Sequence, residues 1–474
     1  MKKIFTGIFL STMVFSAFGQ PPEGMKWKEI GSVKTLNAKD IKTSRWSIGG
    51  ETLDRNYADY EAYKTYLGPL GAKRIRLQGG WARCEKVKGQ YDFTWLDAIV
   101  DDAIKQGVQP WLQPSYGNPI YEGGGEAALA GGIPTSAEAL AAWDKWVTAL
   151  TQHYKNRVHE WEIWNEPDLS NKFTAVQYAR FYERTATIIR KEQPSARLIG
   201  LALCCMAWPQ YADTLFTHLK KNNTLDLIDV ITIHGYKFRP EDTYRQVDDL
   251  KKVVYAVKPG VQIWQGENGA PSVKKGEAIG AMREYDWSEL TQAKWNLRRM
   301  FGDMGNDFEV TNVFSMSDMY YSSGDHMAGY NAKGLLKSKP DKSIDKPKMA
   351  YYAFQYAASV FSEKIRRIKS AVFSHVPDLS VFAYQKNNSN KSMVTLWMSR
   401  KGPVDDTSEN RNINITVKNI SIDTPVYVDL ISGKVYEIPR SNYKRNAGNG
   451  YVFSGIPVPD YPILIAGKSS IVLK

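Results

Sequence analysis

Two glutamates stand where paired-carboxylate chemistry would need them. Glu166 lies near the end of His159-Glu160-Trp161-Glu162-Ile163-Trp164-Asn165-Glu166-Pro167-Asp168, and Glu267 lies in Val261-Gln262-Ile263-Trp264-Gln265-Gly266-Glu267-Asn268-Gly269. In both segments a strand-like run ends in an acid followed by turn residues. Pro167 cannot continue a central ladder, so it marks a strand end. Two facing carboxyls could break a glycosidic bond. One, protonated, donates to the leaving oxygen, while the other attacks the sugar from about 5–5.5 Å away, giving retention by double displacement. Partial burial and the charge of Glu267 are expected to keep Glu166 protonated; once the covalent intermediate removes that charge, Glu166 activates water. A lone strand-end glutamate is more often a surface or ion-paired group. The matched pair favours catalysis.

Something must hold these ends together. From Ser44 to about Phe361 short apolar segments alternate with amphipathic helical ones. Strands are expected at Ser44 to Ile48, Arg74 to Leu77, Val108 to Gln113, Val158 to Trp164, Ala196 to Leu203, Val230 to Ile233, Val261 to Trp264 and Val310 to Met316. Helical patterns such as Ala137 to Tyr154, Thr174 to Glu192 and Glu289 to Met304 separate them. The expected fold class is α/β: a (β/α)8 TIM barrel over residues 43–361, with chemistry at the C-terminal strand ends. Glu166 then ends strand four and Glu267 strand seven. A doubly wound sheet would carry a phosphate loop after its first strand, and Gly49-Gly50-Glu51 lacks the spacing.

After Phe361 short strand-like runs replace helices, among them Met393 to Trp397 and Val426 to Leu430. They predict a β-sandwich over residues 362–474. No Gly/Pro/Ser linker precedes it, so tight packing on the barrel is expected. Of 14 tryptophans only Trp397 lies in this part, so aromatic sugar platforms belong to the barrel.

Ile163-Trp164-Asn165-Glu166-Pro167-Asp168 resembles the acid/base motif of the retaining glycoside hydrolases of clan A, and Gly266-Glu267-Asn268-Gly269 is similar to their nucleophile segments. The sandwich adds a looser similarity to family 39, which includes β-xylosidases and α-iduronidases. The resemblance implies Glu166 as acid/base and Glu267 as nucleophile. It further implies Asn165 on the sugar 2-hydroxyl, Arg76 holding the nucleophile ionised, and His234 and Tyr236 around it. Many clan members carry a tryptophan at the end of strand eight. Here Phe314-Ser315-Met316-Ser317-Asp318-Met319-Tyr320-Tyr321 has none, and Tyr320 or Tyr321 is the candidate replacement.

Trp81, Tyr116, Asn118, Trp208 and Trp264 fall at or just past expected strand ends and are candidate sugar contacts, with core packing the alternative. The glycine-rich stretch Tyr121 to Gly132 lacks the Lys-Ser/Thr of a phosphate loop and reads as a rim loop. The expected activity is retaining hydrolysis of a β-linked glucan or related polysaccharide. An exo-acting β-xylosidase or β-galactosidase and a non-catalytic polysaccharide-binding protein are the alternatives.

Carbohydrate is the partner expected from the acids and aromatics, and bulk properties argue against several others. The formal charge of +12 is spread along the chain without a basic block, so nucleic acid is not expected. Six histidines, none paired at metal spacing, predict no metal, and no cofactor motif occurs. Three cysteines, Cys84, Cys204 and Cys205, do not make a disulfide framework; adjacent Cys204 and Cys205 could form only a strained vicinal bridge, and buried free thiols at a strand end are expected instead. Lys2 and Lys3 before an apolar run, with Ala17-Phe18-Gly19 after it, predict a signal peptide over 1–19, export to the periplasm or medium, and an N-terminal extension over 20–42. No transmembrane segment is expected.

Overall fold

The computed structural model describes residues 25–474 except 130, 170–173, 206–207, 323–327, 370, 388, 390, 407–409 and 447–449. The expected signal peptide lies outside the described residues.

Eight parallel strands close into a barrel: β1 (Trp46–Gly49), β2 (Arg74–Gln78), β3 (Gln109–Gln113), β4 (Glu160–Glu162), β5 (Arg197–Leu203), β6 (Val230–His234), β7 (Gln262–Asn268) and β8 (Thr311–Val313). Closure is made by β8 against β1, with Trp46 opposite Thr311. Trp111, Ile199, Val230, Trp264 and Val310 fill the lower interior. One step higher, inward positions become polar, with Arg76, Gln113, Glu162 and Thr232 all buried. Alternation along each strand produces this layering, because residues i and i+2 share a face.

A helix at Tyr60–Leu70, capped by Asp59, completes the first unit, although Gly68 and Pro69 mask its periodicity in the sequence. β4 is three residues long, shorter than the expected Val158 to Trp164. Beyond it Trp164 (φ 73°) and Glu166 (φ 48°) take left-handed backbone conformations and leave the ladder. Such conformations cost free energy in non-glycine residues and concentrate at functional sites. After β8 two hairpins, Met319–Tyr321 with Gly329–Asn331 and Leu336–Ser338 with Ile344–Pro347, precede the last barrel helix, Met349–Val360.

The C-terminal part is a β-sandwich of a seven-stranded and a four-stranded antiparallel sheet. One edge of the larger sheet is Glu29–Ser32, paired with Lys434–Glu437. The stretch expected as an N-terminal extension therefore belongs partly to the sandwich. The helix Glu289–Gly305 lies between the two domains, and every residue from Thr291 to Gly305 is buried. Its charges are paired: Arg298 with Glu241, which also accepts from Trp397 Nε1, and Lys294 Nζ with Asp460 Oδ1 at 2.6 Å. Removing one partner of a buried pair strands the other. Lys294→Met should lower unfolding free energy by about 3–5 kcal/mol in denaturant titrations of the full chain. Lys294→Met with Asp460→Leu should recover most of it, and a loss below about 1 kcal/mol in the single variant would refute a structural role for the pair.

Candidate active site

Alternation by itself would turn Glu267 away from the barrel interior. Trp264 points inward, so residue 267 should point out. The register slips by one residue, however: Ile233 lies opposite Gln265, and His234 opposite Glu267, leaving Gly266 extra. The bulge returns Glu267 to the inner face. Only glycine fits at 266, since a Cβ there would lie 2.8 Å from the Thr232 Cβ. A second bulge between Leu201 and Leu203 in β5 serves Glu166, whose N–H donates to Ala202 O at 3.0 Å.

With both strand ends so bent, one carboxylate oxygen of Glu166, one of Glu267 and a His234 ring nitrogen lie within 4.8 Å of one another. Such a trio could hold a metal ion by spacing, but its atoms are committed to hydrogen bonds. Glu267 Oε2 accepts from Arg76 Nη1 (2.9 Å), and Oε1 accepts from Tyr236 OH (2.8 Å). Burial pushes the Tyr236 hydroxyl well above its ordinary range, so it remains a donor. The Glu267 carboxyl is thus held in one orientation by a fixed cation and a phenol.

Glu166 Oε1 contacts His234 Nδ1 at 2.7 Å. The other ring nitrogen faces Arg76 Nη2 at 3.4 Å, and guanidinium only donates, so Nδ1 carries the hydrogen given to Glu166. Burial lowers His234 to about 4 and leaves it neutral. Glu166 is raised to about 8, first by burial and then by the Asp168 charge, against the opposing Arg76 and Lys333. Burial acts as expected, while the charge that adds to it is that of Asp168 rather than the expected Glu267.

Arg76 is the hub. Besides Glu267 it donates to Glu162 (2.8 Å), Glu51 (3.0 Å) and Asn165 Oδ1 (2.7 Å). Asn165, its oxygen engaged, keeps its amide N–H groups for a ligand. Burial raises Glu51 to about 8. Protonation of Glu51 and Glu166 limits the negative charge the interior must hold beside Arg76. Arg76 and His234 stand behind the cavity and position its acids.

The carboxylates open into a cavity of about 260 Å3, shared with Asn165, Tyr116 and Tyr236. Tyr116 is held by Gln78 Nε2 (3.0 Å) beneath the Arg55 guanidinium. Other candidates are placed elsewhere. Trp81 is fully buried, stacked on Tyr121 with its N–H on Glu85, and Asn118 ties its loop to Glu85 O. Trp208 is buried at the start of a helix. Trp264 packs edge-on against Trp111 in the lower barrel, beside a separate cavity of about 480 Å3 at the opposite end. Tyr320 hydrogen-bonds Ser338 O and stacks on Tyr330; its neighbour Tyr321, on the other face of the hairpin strand, lines the catalytic cavity.

Several lining groups escaped the sequence reading: Glu51, Arg55, Asn331 and Lys333 among them. Glu51 follows β1 directly, and its strand-end position was a usable signal. Lys333 carried none, because it reaches the mouth from the excursion after β8. It is buried, it donates to Asn331 Oδ1 at 3.5 Å, and burial lowers its ammonium to about 8.

A closed (β/α)8 barrel with two facing glutamates at the ends of strands four and seven defines the site type of the clan A glycoside hydrolases. The model of glycosyl hydrolases family 39 matches residues 77–445, and the chain belongs to that family. It is 29% identical over 159 residues to a β-xylosidase from Caldicellulosiruptor saccharolyticus, covering 31% of each protein. It is 26% identical over 176 residues to one from Geobacillus stearothermophilus, covering 33% of this chain and 34% of that protein. The chain thus spans about a third of the length of these curated relatives. A family 39 glycoside hydrolase from the gut symbiont Bacteroides cellulosilyticus WH2 shares the fold with a TM-score of 0.66 at 18% identity, over 92% of this chain and 83% of that one.

Proposed function

We propose that this chain is an exo-acting retaining β-glycosidase that removes terminal β-xylosyl units. The observation that carries the reading is the pair of carboxylates within 4.8 Å, set in a cavity of about 260 Å3. That spacing leaves no room for a water between attacking group and sugar, as an inverting enzyme needs. The cavity is smaller than the roughly 300–1,000 Å3 of ordinary ligand clefts and suits one sugar ring. Leu129 of the glycine-rich loop, Gly280 of the loop after β7, and Lys333 line its rim. The β-xylosidase relatives support xylose better than the β-glucan expected from sequence.

In this reading Glu267 attacks the anomeric carbon while Glu166 protonates the leaving oxygen, and Asn165 holds the 2-hydroxyl. Glu166, now unprotonated, then takes a proton from water, which releases the sugar with its β configuration restored. Xylohexaose should yield xylose and xylopentaose first, with β-xylose the first anomer seen by NMR. Internal fragments as first products would overturn the exo assignment, and α-xylose would overturn retention. Export is part of the proposal, supported by Lys2, Lys3 and the apolar run that follows.

Lys333 favours a second reading, a terminal sugar bearing a carboxylate. Among the described residues this buried ammonium has one long hydrogen bond, which leaves donors to spare, and it stands beside the site. Lys333→Met separates the two. It should lower kcat/KM about 100-fold on an aryl β-glucuronide if the carboxylate is the natural group, and less than about 10-fold on an aryl β-xyloside. Equal effects on both would sink the acidic-sugar reading.

A further inference from the structure

Just past β5, Cys204 and Cys205 have no part in the chemistry above, yet Cys204 lines the same cavity beside Glu166. Neighbouring residues on a strand point to opposite faces. Here the chain has left the ladder and the two sulfurs converge, with Sγ atoms 2.7 Å apart. That is closer than the roughly 3.5–4.0 Å of ordinary non-bonded heavy-atom contact. The peptide joining them is fastened: Cys204 N–H donates to Asp168 Oδ1 (3.0 Å), and Cys205 N–H to Asp168 Oδ2 (2.7 Å). Asp168 comes from the loop after Glu166 and is buried. Both cysteines are half-buried, in contrast to the expected burial, and so are open to a reagent. Cys84 is buried, with its sulfur accepting from Trp95 Nε1.

We propose that Cys204 and Cys205 are joined by a vicinal disulfide, and that the resulting ring forms the rigid apolar wall of the cavity on its acid/base side. The group leaving with the oxygen protonated by Glu166 departs on this side, so the ring packs against that group. This second part rests on the glycosidase reading. The bond forms by exchange. One thiolate attacks an external disulfide, such as oxidised glutathione or an oxidised dithiol protein, and expels one thiol. The neighbouring sulfur then displaces the other. The S–S bond replaces two S–H bonds, two protons are released, and the external disulfide takes up the two electrons. Closure removes two weak polar S–H groups and the rotamer freedom of both side chains, leaving a fixed surface.

The full chain, incubated with oxidised glutathione, denatured and alkylated, should take up alkyl at Cys84 alone. Its mass before alkylation should be about 2 Da below that of the reduced chain. After reduction all three cysteines should react. Three reactive thiols in the oxidised sample, or a stable glutathione adduct on Cys204 or Cys205, would overturn the bond. Reduction of the native enzyme should raise KM for aryl β-xylosides about 5-fold, the size expected for one lost apolar contact, with kcat nearly unchanged. The Cys204→Ser/Cys205→Ser variant should share the raised KM and ignore reductant. Equal KM in both redox states would overturn the wall. A chain carrying the bond but inert toward every glycoside would overturn the activity reading instead.

Discussion

Glu267→Ala should lower kcat/KM for aryl β-xylosides by about 10^5-fold, roughly 7 kcal/mol of transition-state stabilisation. The size follows from what Glu267 does. In the proposed mechanism it forms the bond that divides one difficult displacement into two, and no neighbour is placed to replace it. Glu162 and Glu51 are buried and engaged by Arg76, and Glu166 is held by His234 on the acid side. The alanine also opens space against the anomeric carbon. Azide should enter there and restore turnover of substrates with good leaving groups, giving the inverted α-glycosyl azide. Ordinary activity in this variant, or a β-azide product, would remove Glu267 from the nucleophile's role. Folding must be compared alongside, because Arg76 loses one of its hydrogen-bond acceptors, and circular dichroism of the variant supplies that control.

Glu166→Ala should act unevenly. Loss of a general acid costs about 10^3- to 10^4-fold on substrates with poor leaving groups, such as xylobiose, and far less on dinitrophenyl xylosides. For the latter KM should fall together with kcat, because the glycosyl-enzyme accumulates when no base activates water. Azide should here give the retained β-azide, the opposite of Glu267→Ala. The pH profile tests the same group. A carboxyl raised to about 8 is protonated below that pH, so kcat/KM in the wild type should stay level toward pH 7 and fall above about 8. That alkaline limb should vanish in Glu166→Ala. A limb unchanged in the variant would assign the titration to another group, Lys333 being the first to examine because it too is placed at about 8.

The same burial has a stability cost with a definite sign. Glu166 keeps its proton in the folded state up to about pH 8 but ionises near 4.5 when unfolded. The unfolded chain therefore binds fewer protons between those values, and stability falls as pH rises through that window, at most about 1.4 kcal/mol per unit for this group. The free energy is spent on having a proton available at neutral pH.

Much of this was legible in the chain itself. Strand-like runs ending in Asn165-Glu166-Pro167 and Gly266-Glu267-Asn268 specify where acids end strands, because proline and glycine act through local backbone chemistry. The alternation of eight apolar runs with helical patterns specifies a barrel, because burial on one face imposes a period on sequence. Tertiary structure alone decided which side chains meet. Glu267 faces inward only through the slipped register at Gly266, and a one-residue bulge leaves no mark on hydrophobic periodicity. Trp81 and Trp264, expected at strand ends, lie in packing, while Tyr321 rather than Tyr320 faces the cavity, a choice made by which side of a short hairpin is covered. Lys333 and Asp168 reach the acids from separate loops. The charges that set a proton's affinity are summed over space, and a linear order of residues does not contain those distances.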